Sequence, residues 1–216
     1  MTDPTTDGDR RTHLSRALPL DRFNAFSDGV FAIAITLLVL ELPVPEGPDL
    51  VSSLLEEWPE FLGYLISFAF IGASWMTHAL TTKYMKTGDT VAAGLNLLAL
   101  LFITLIPFAT NLMVSNIGGE SERVAVVIYG LVVLVGSLCL TLLMVYLGRQ
   151  RTDLLGGEVA DESLVAMTRQ RRMIIAVWVV AILCALIAPK VAVLLYVVAA
   201  VLMLALPILR VGRHRT

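Results

Sequence analysis

The chain has 216 residues, of which 57% are hydrophobic and only 16% are charged, and its mean hydropathy is +0.80. This composition is too apolar for an ordinary soluble domain and is typical of an integral membrane protein. The formal net charge of −2 excludes a strongly basic nucleic-acid binder, and no connecting segment is long enough for a soluble catalytic domain.

Six apolar stretches follow one another along the chain. A helix needs about 20 apolar residues to cross a bilayer, and spanning segments of this kind must be helical because their backbone polar groups have to be satisfied internally. The stretches cover about 23–42, 59–80, 91–114, 124–147, 173–188 and 190–209. The sequence therefore predicts an all-α membrane protein with six transmembrane helices. Residues 1–21 would form an N-terminal segment without a cleaved signal peptide, 22–210 the membrane domain, and 211–216 a tail.

The basic residues are distributed unevenly between the two sets of connections. Of the 16 lysines and arginines, 14 lie before the first span, between the second and third, between the fourth and fifth, or after the sixth. Because lysine and arginine accumulate on the cytoplasmic side, both termini are predicted to be cytoplasmic, in a multi-pass protein of the cell (plasma) membrane. In the connection before the fifth span, Gly156 and Gly157 predict a loop, and residues 161–172 predict a short helix that runs into that span.

Prolines mark the end of the first span and a break within the third. Pro43, Pro45 and Pro48 are expected to stop the first helix, because proline lacks a backbone donor and clashes with the preceding turn. Pro107 is expected to kink the third span for the same reason.

Polar side chains within the spans are confined largely to the first three. The relevant set is Arg22, Ser27, Asp28, Trp75, His78 and Asn96. Asp28, His78 and Asn96 each lie about five residues inside the cytoplasmic boundary, or roughly 7–8 Å at 1.5 Å per residue, so they are predicted to form one layer. Trp75 lies three residues before His78, on the same helix face.

This layer has two interpretations. The side chains either hold helices or subunits in register, or they form a proton relay or ion site centred on Asp28 and His78. A zinc site is not expected, because one histidine and one aspartate fall short of the three or four ligands that zinc requires.

The first span also carries a stripe on one helix face. Gly29, Ile33, Thr36, Leu37 and Leu40 follow the spacing i, i+4, i+7, i+8 and i+11. By periodicity alone, such a stripe more often packs against a core or lipid than lines a pore.

A motif in the first span carries a family resemblance. The motif Arg22-x-x-x-Phe26-Ser27-Asp28 leads into an apolar helix that ends in Leu40-Glu41-Leu42-Pro43. This pattern resembles the signature of the TMEM175 family of potassium channels. The positions of Trp75, His78 and Asn96 in the second and third spans are similar to that family as well.

The resemblance implies a prokaryotic, single-repeat channel that assembles as a homotetramer, with the first helix of each copy lining a central pore. It places the narrowest ring at Ile33, with Leu37 and Leu40 one and two turns farther out. Thr36 would supply a hydroxyl beside the constriction and, with Ile33, contribute to a modest selectivity for potassium over sodium. The resemblance also implies a structural polar network, which here would comprise Arg22, Phe26, Ser27, Asp28, Trp75, His78 and Asn96.

The main alternative is a proton-coupled secondary transporter that uses Asp28 and His78. Transporters usually consist of two related halves, but the fourth span has no counterpart of the motif in the first. An enzyme is not expected, because the sequence has no HExxH motif, no nucleotide-binding loop and no Ser/His/Asp set at matched depth. The expected partners are potassium ions, the lipid bilayer and further copies of the chain, without nucleic acid, cofactor or a resident metal.

Overall fold

The computed structural model describes residues 19–45, 49–83, 85–150 and 159–213, with the backbone alone for 149–150, 159–170 and 204–213. The described residues form helices and no extended strand, so the prediction of an all-α fold is confirmed for them. The helices are α1 (Leu20–Leu40), α2 (Leu50–Glu56), α3 (Trp58–Thr82), α4 (Thr90–Thr104), α5 (Ile106–Val114), α6 (Glu122–Gln150), α7 (Val159–Ala185) and α8 (Pro189–Arg213).

Four segments of the described chain are long and apolar enough to cross a membrane. They are Leu20–Leu40, Trp58–Thr82, Thr90–Val114 and Glu122–Gly148, and they coincide with the first four predicted spans. Helices α7 and α8 occupy the positions of the fifth and sixth predicted spans. The protein is therefore a membrane protein with several apolar helices, whereas the count of six spans, the cytoplasmic termini and the domain bounds stay predictions.

The helix boundaries follow local chemistry. Helix α1 ends at Leu40, before Pro43 as predicted. The third span is interrupted at Leu105, so that Pro107 lies in the first turn of α5, where its missing donor is tolerated. Gly118 has a φ of +78° in the turn before α6, a conformation that disfavours residues with a Cβ.

The short helix predicted before the fifth span forms part of one long helix. Helix α7 runs without interruption from Val159 to Ala185, which confirms that the predicted helix at 161–172 continues into the span. At 1.5 Å per residue its 27 residues extend about 40 Å, more than the roughly 30 Å of a bilayer core. The loop predicted at Gly156 and Gly157 lies outside the described residues.

The core of the chain surrounds α3 and α6. Helix α3 packs against α1, α5 and α8, and α6 packs against α4, α5, α7 and α8. At the centre, the ring of Trp178 stacks on Tyr196 at 4.9 Å and meets Phe70 edge-on at 5.8 Å. Helix α1 lies at the side of this bundle, mainly against α3 and α4, so that only one of its faces is covered.

Candidate pore face and polar network

Helix α1 has one face that packs within the chain. Phe23, Ser27, Phe31, Ala34 and Leu38 are buried, and their spacing of three or four residues places them on one side of the helix. Because this side lies against α3 and α4, it fixes the rotation of α1 about its own axis.

The predicted stripe lies on the opposite side of α1. Ile33 is 59% exposed, Leu37 42% and Leu40 77%, and Gly29 and Thr36 are exposed as well. Nothing else in the described chain covers these side chains. The structure thus brings the stripe residues onto one open face, separate from the face that holds α1 in the bundle.

The hydroxyl group of Thr36 donates a hydrogen bond within α1. Its Oγ1 donates to the carbonyl oxygen of Ile33, one turn earlier, at 2.9 Å. The hydroxyl oxygen accepts no hydrogen bond from the described residues and retains its lone pairs on the open face. Such an oxygen has the right chemistry for a passing hard cation.

Two hydrogen bonds join the N-terminal half of α1 to its neighbours. The indole Nε1 of Trp75 in α3 donates to Oδ1 of Asp28 at 2.8 Å. The amide Nδ2 of Asn96 in α4 donates to Oγ of Ser27 at 2.9 Å, and Ser27 in turn donates to the carbonyl of Phe23 at 3.0 Å. The structure therefore brings together polar side chains from three helices, as the predicted layer requires.

His78 is the most enclosed member of the layer. It is 1% exposed, and its ring stacks on Phe23 at 6.0 Å and lies 5.7 Å from the ring of Phe31. Asp28 and Asn96 are its polar neighbours. Its Nε2 and the Oδ1 of Asn96 are buried without a hydrogen-bond partner in the described chain.

The contacts of His78 with Phe23 and Phe31 go beyond what the sequence predicts. The spacing could have indicated them, because Phe23 and Phe31 lie one helical turn before and after Ser27 and therefore share its face.

Arg22 and Phe26 do not join the layer within a single chain. Arg22 is exposed and makes no ion pair with Asp28 in the described residues, although the two lie within two turns of each other. Phe26 is 55% exposed and lies seven residues before Ile33, on the same side of α1.

The C-terminal end of α1 is held by a contact that the sequence does not indicate. Nδ2 of Asn111 in α5 donates to Oε2 of Glu41 at 2.6 Å. Both side chains line a small pocket together with Glu60 and Tyr64. No group of three or more potential metal ligands occurs in the part of the chain that the structure describes.

Comparison with known proteins identifies the family. A sequence model described as "Endosomal/lysosomal potassium channel TMEM175" matches residues 22–107, which contain the open stripe and the polar layer. A potassium channel of Chamaesiphon minutus is 44% identical over 113 residues, covering 50% of this chain and 56% of that protein. The endosomal/lysosomal proton channel TMEM175 of Gallus gallus is 36% identical over 111 residues, covering 46% of this chain and 22% of that protein.

A solved structure extends the match over nearly the whole chain. The crystal structure of a lysosomal potassium-selective channel TMEM175 homolog from Chamaesiphon minutus superposes with a TM-score of 0.75 at 32% identity, covering 86% of this chain and 96% of that one. The sequence matches to curated bacterial potassium channels are shorter and span 56% to 64% of their lengths. Taken together with the motif at Arg22 to Asp28, these similarities show that the chain belongs to the TMEM175 family.

Proposed function

We propose that the chain forms a potassium channel of the plasma membrane, modestly selective over sodium, in which α1 from each of four copies lines a central pore. The observation that carries the proposal is the open apolar face of α1, with Ile33 59% exposed beside the exposed Thr36. The bacterial relatives are named potassium channels, which supports the same assignment.

The constriction in this proposal is a ring of Ile33 side chains, with Leu37 and Leu40 farther out. An apolar ring a few ångströms across expels water and blocks ions, so a small widening or rotation of α1 switches conduction on. Selectivity then rests on the easier dehydration of potassium, the larger ion, and on the free lone pairs of Thr36 Oγ1. No carbonyl filter is involved, and the discrimination against sodium is therefore modest.

A proton-coupled transporter is the second candidate, and one observation favours it. His78 Nε2 is buried without a partner in the described chain while Asp28 is among its neighbours, an arrangement in which a proton has a place to bind. The vertebrate relative is named a proton channel, so proton movement belongs in the measurements below.

The proposal is tested by recording from purified protein in planar bilayers. Unitary potassium currents are expected, and Ile33→Asn should raise the open fraction or the leak because a polar side chain hydrates the ring. Val39→Asn is the matched control, since Val39 is similarly exposed at 50% but lies about 120° around α1 from Ile33. Its currents should resemble those of the unmodified chain.

Two results would reject the channel. One is flux that saturates with ion concentration and shows no unitary events, which would favour the transporter. The other is a monomer in membranes and in mild detergent, because one copy of α1 cannot enclose a pore.

A further inference from the structure

A buried arginine links α7 to the centre of the bundle. Arg171 is 5% exposed, and its guanidinium donates to three oxygens on two other helices. Nε donates to Thr141 Oγ1 at 3.0 Å, Nη2 to the carbonyl of Ser137 at 3.2 Å, and Nη1 to Thr77 Oγ1 at 3.0 Å. The first two acceptors belong to α6 and the third to α3. The sequence predicts this arginine in a short helix of the connection before the fifth span, whereas the structure buries it against α3 and α6.

The acceptors of Arg171 are all neutral. No carboxylate pairs with the guanidinium in the described residues, although a buried charge is costly without such a partner. An apolar side chain of similar volume would fill the same space at lower cost. What arginine adds is a rigid planar fork that fixes the relative positions of the groups it binds.

Thr77 occupies a special position on α3. It lies within one helical turn of Trp75 and His78, the side chains through which α3 holds α1. Trp75 binds Asp28, and His78 packs against Phe23 and Phe31. Thr77 is therefore connected through these side chains to the N-terminal half of α1, on the side away from the open stripe.

We propose that Arg171 is a positioning residue that holds α3 through Thr77 and thereby sets the balance between the open and closed positions of α1. This inference rests on the proposed channel function, because it assigns regulation to the same α1 pore. In this arrangement a displacement of α7, whose helix continues to Val159, changes the position of α3 and thereby of α1.

The chain offers a closely matched pair of variants. Thr77 and Thr141 each accept from Arg171, and each donates its hydroxyl proton to the carbonyl four residues earlier, at 2.8 Å and 2.7 Å. Thr77→Val removes the contact of Arg171 with α3, whereas Thr141→Val leaves α6 attached through the Ser137 carbonyl. Both variants leave one donor of the guanidinium without its acceptor, so both should lower thermal stability to a similar extent. Thr77→Ser keeps the hydroxyl and serves as the conservative control.

The gating experiment is single-channel recording in planar bilayers. Thr77→Val should change the ratio of open to closed time by about fivefold or more, the lower end of typical coupling between sites. Its unitary conductance and potassium-to-sodium permeability ratio should be unchanged, because the ring at Ile33 is untouched. Thr141→Val and Thr77→Ser should keep the original ratio of open to closed time.

A second measurement does not depend on ion flow. Amide hydrogen exchange over residues 22–31 should be faster in Thr77→Val than in Thr141→Val, because only the former releases α3 from Arg171. If the unmodified protein carries no potassium current but this difference is present, the channel proposal fails and the positional coupling stands. Equal exchange in the two variants overturns the coupling whatever the currents show, and so does an unchanged open fraction in a conducting Thr77→Val protein.

Discussion

The carboxylate of Asp28 accepts a hydrogen bond from the indole nitrogen of Trp75 at 2.8 Å, which joins the N-terminal half of α1 to α3. With the bond between Asn96 and Ser27, it fixes α1 to both of its neighbours. This hydrogen bond accounts for a carboxylate at position 28 without a role in ion or proton transport. The negative charge of Asp28 also acts on His78, so a proton relay between them needs its own test.

Substitutions of Asp28 and Trp75 separate these two roles. Asp28→Asn retains an oxygen that accepts from Trp75, so a structural role predicts an assembled protein with nearly unchanged conduction. Trp75→Phe removes the donor and should destabilise the protein by about 1 kcal/mol, a reduced value because the pair is exposed in the single chain. Thermal unfolding and the oligomeric state in detergent are the measurements. If Asp28→Asn assembles normally but loses ion flux or changes ion preference, Asp28 is an ion or proton site.

His78→Phe tests the proton relay from the other side of the layer. The ring of His78 already stacks on Phe23 and lies against Phe31 at a tilt, and Nε2 has no hydrogen-bond partner among the described residues, so an apolar ring suits the position. We expect stability to change by less than about 1.5 kcal/mol and potassium current to persist. Proton flux into liposomes, measured with an entrapped pH dye, is the second readout. Loss of a pH-driven flux in a stable His78→Phe protein would support the transporter.

Much of this architecture is predictable from the sequence because membranes impose simple rules. The apolar stretches predict the helices, and Pro43 and Pro107 mark breaks within a few residues. The depth of Asp28, His78 and Asn96 places them in one layer, because rise per residue converts directly to distance along a spanning helix.

The features that the sequence does not predict depend on the rotation of each helix about its axis and on the packing between helices. The spacing of residues along the chain defines neither. Arg171 is expected in a connection because positive charges are expected outside the bilayer. In the structure, three oxygens of α3 and α6 accept hydrogen bonds from its guanidinium. The bond between Asn111 and Glu41 joins residues 70 positions apart, a pairing for which the sequence has no local signal. Arg22 is grouped with Asp28 in the predicted polar network, yet the two form no ion pair in the described chain, because proximity along a helix permits a contact without requiring it.

Gly130 in α6 permits the close approach of α8. A Cβ at this position would clash with the hydroxyl of Tyr196 and lie 2.7 Å from Cγ1 of Ile182. Tyr196 is fully buried and donates to the carbonyl of Val126 at 3.1 Å, so it has little freedom to move. We expect Gly130→Ala to destabilise the protein by about 1–3 kcal/mol, measured by thermal unfolding in detergent.

Gly72 provides the control for this substitution. It lies inside α3, where a methyl group added at its Cα would meet nothing within 4 Å, and alanine is the better helix former by about 1 kcal/mol. Gly72→Ala should therefore be neutral or stabilising. If both variants unfold at the same temperature as the unmodified chain, the inference that α6 and α8 pack closely at Gly130 is wrong.

Substitution of Asn111 tests whether the C-terminal end of α1 is fixed by the bond of Asn111 to Glu41. Asn111→Ala removes the 2.6 Å contact and should loosen this end, which carries the exposed Leu40. Amide exchange over residues 37–41 should rise, and in the proposed channel the open fraction should change because the C-terminal end of α1 is less constrained. Asn116→Ala is the control, since Nδ2 of Asn116 donates only to the carbonyl of Leu112 within its own segment, at 2.8 Å. Equal exchange at 37–41 in the two variants would mean that packing of Leu38 alone holds the C-terminal end of α1.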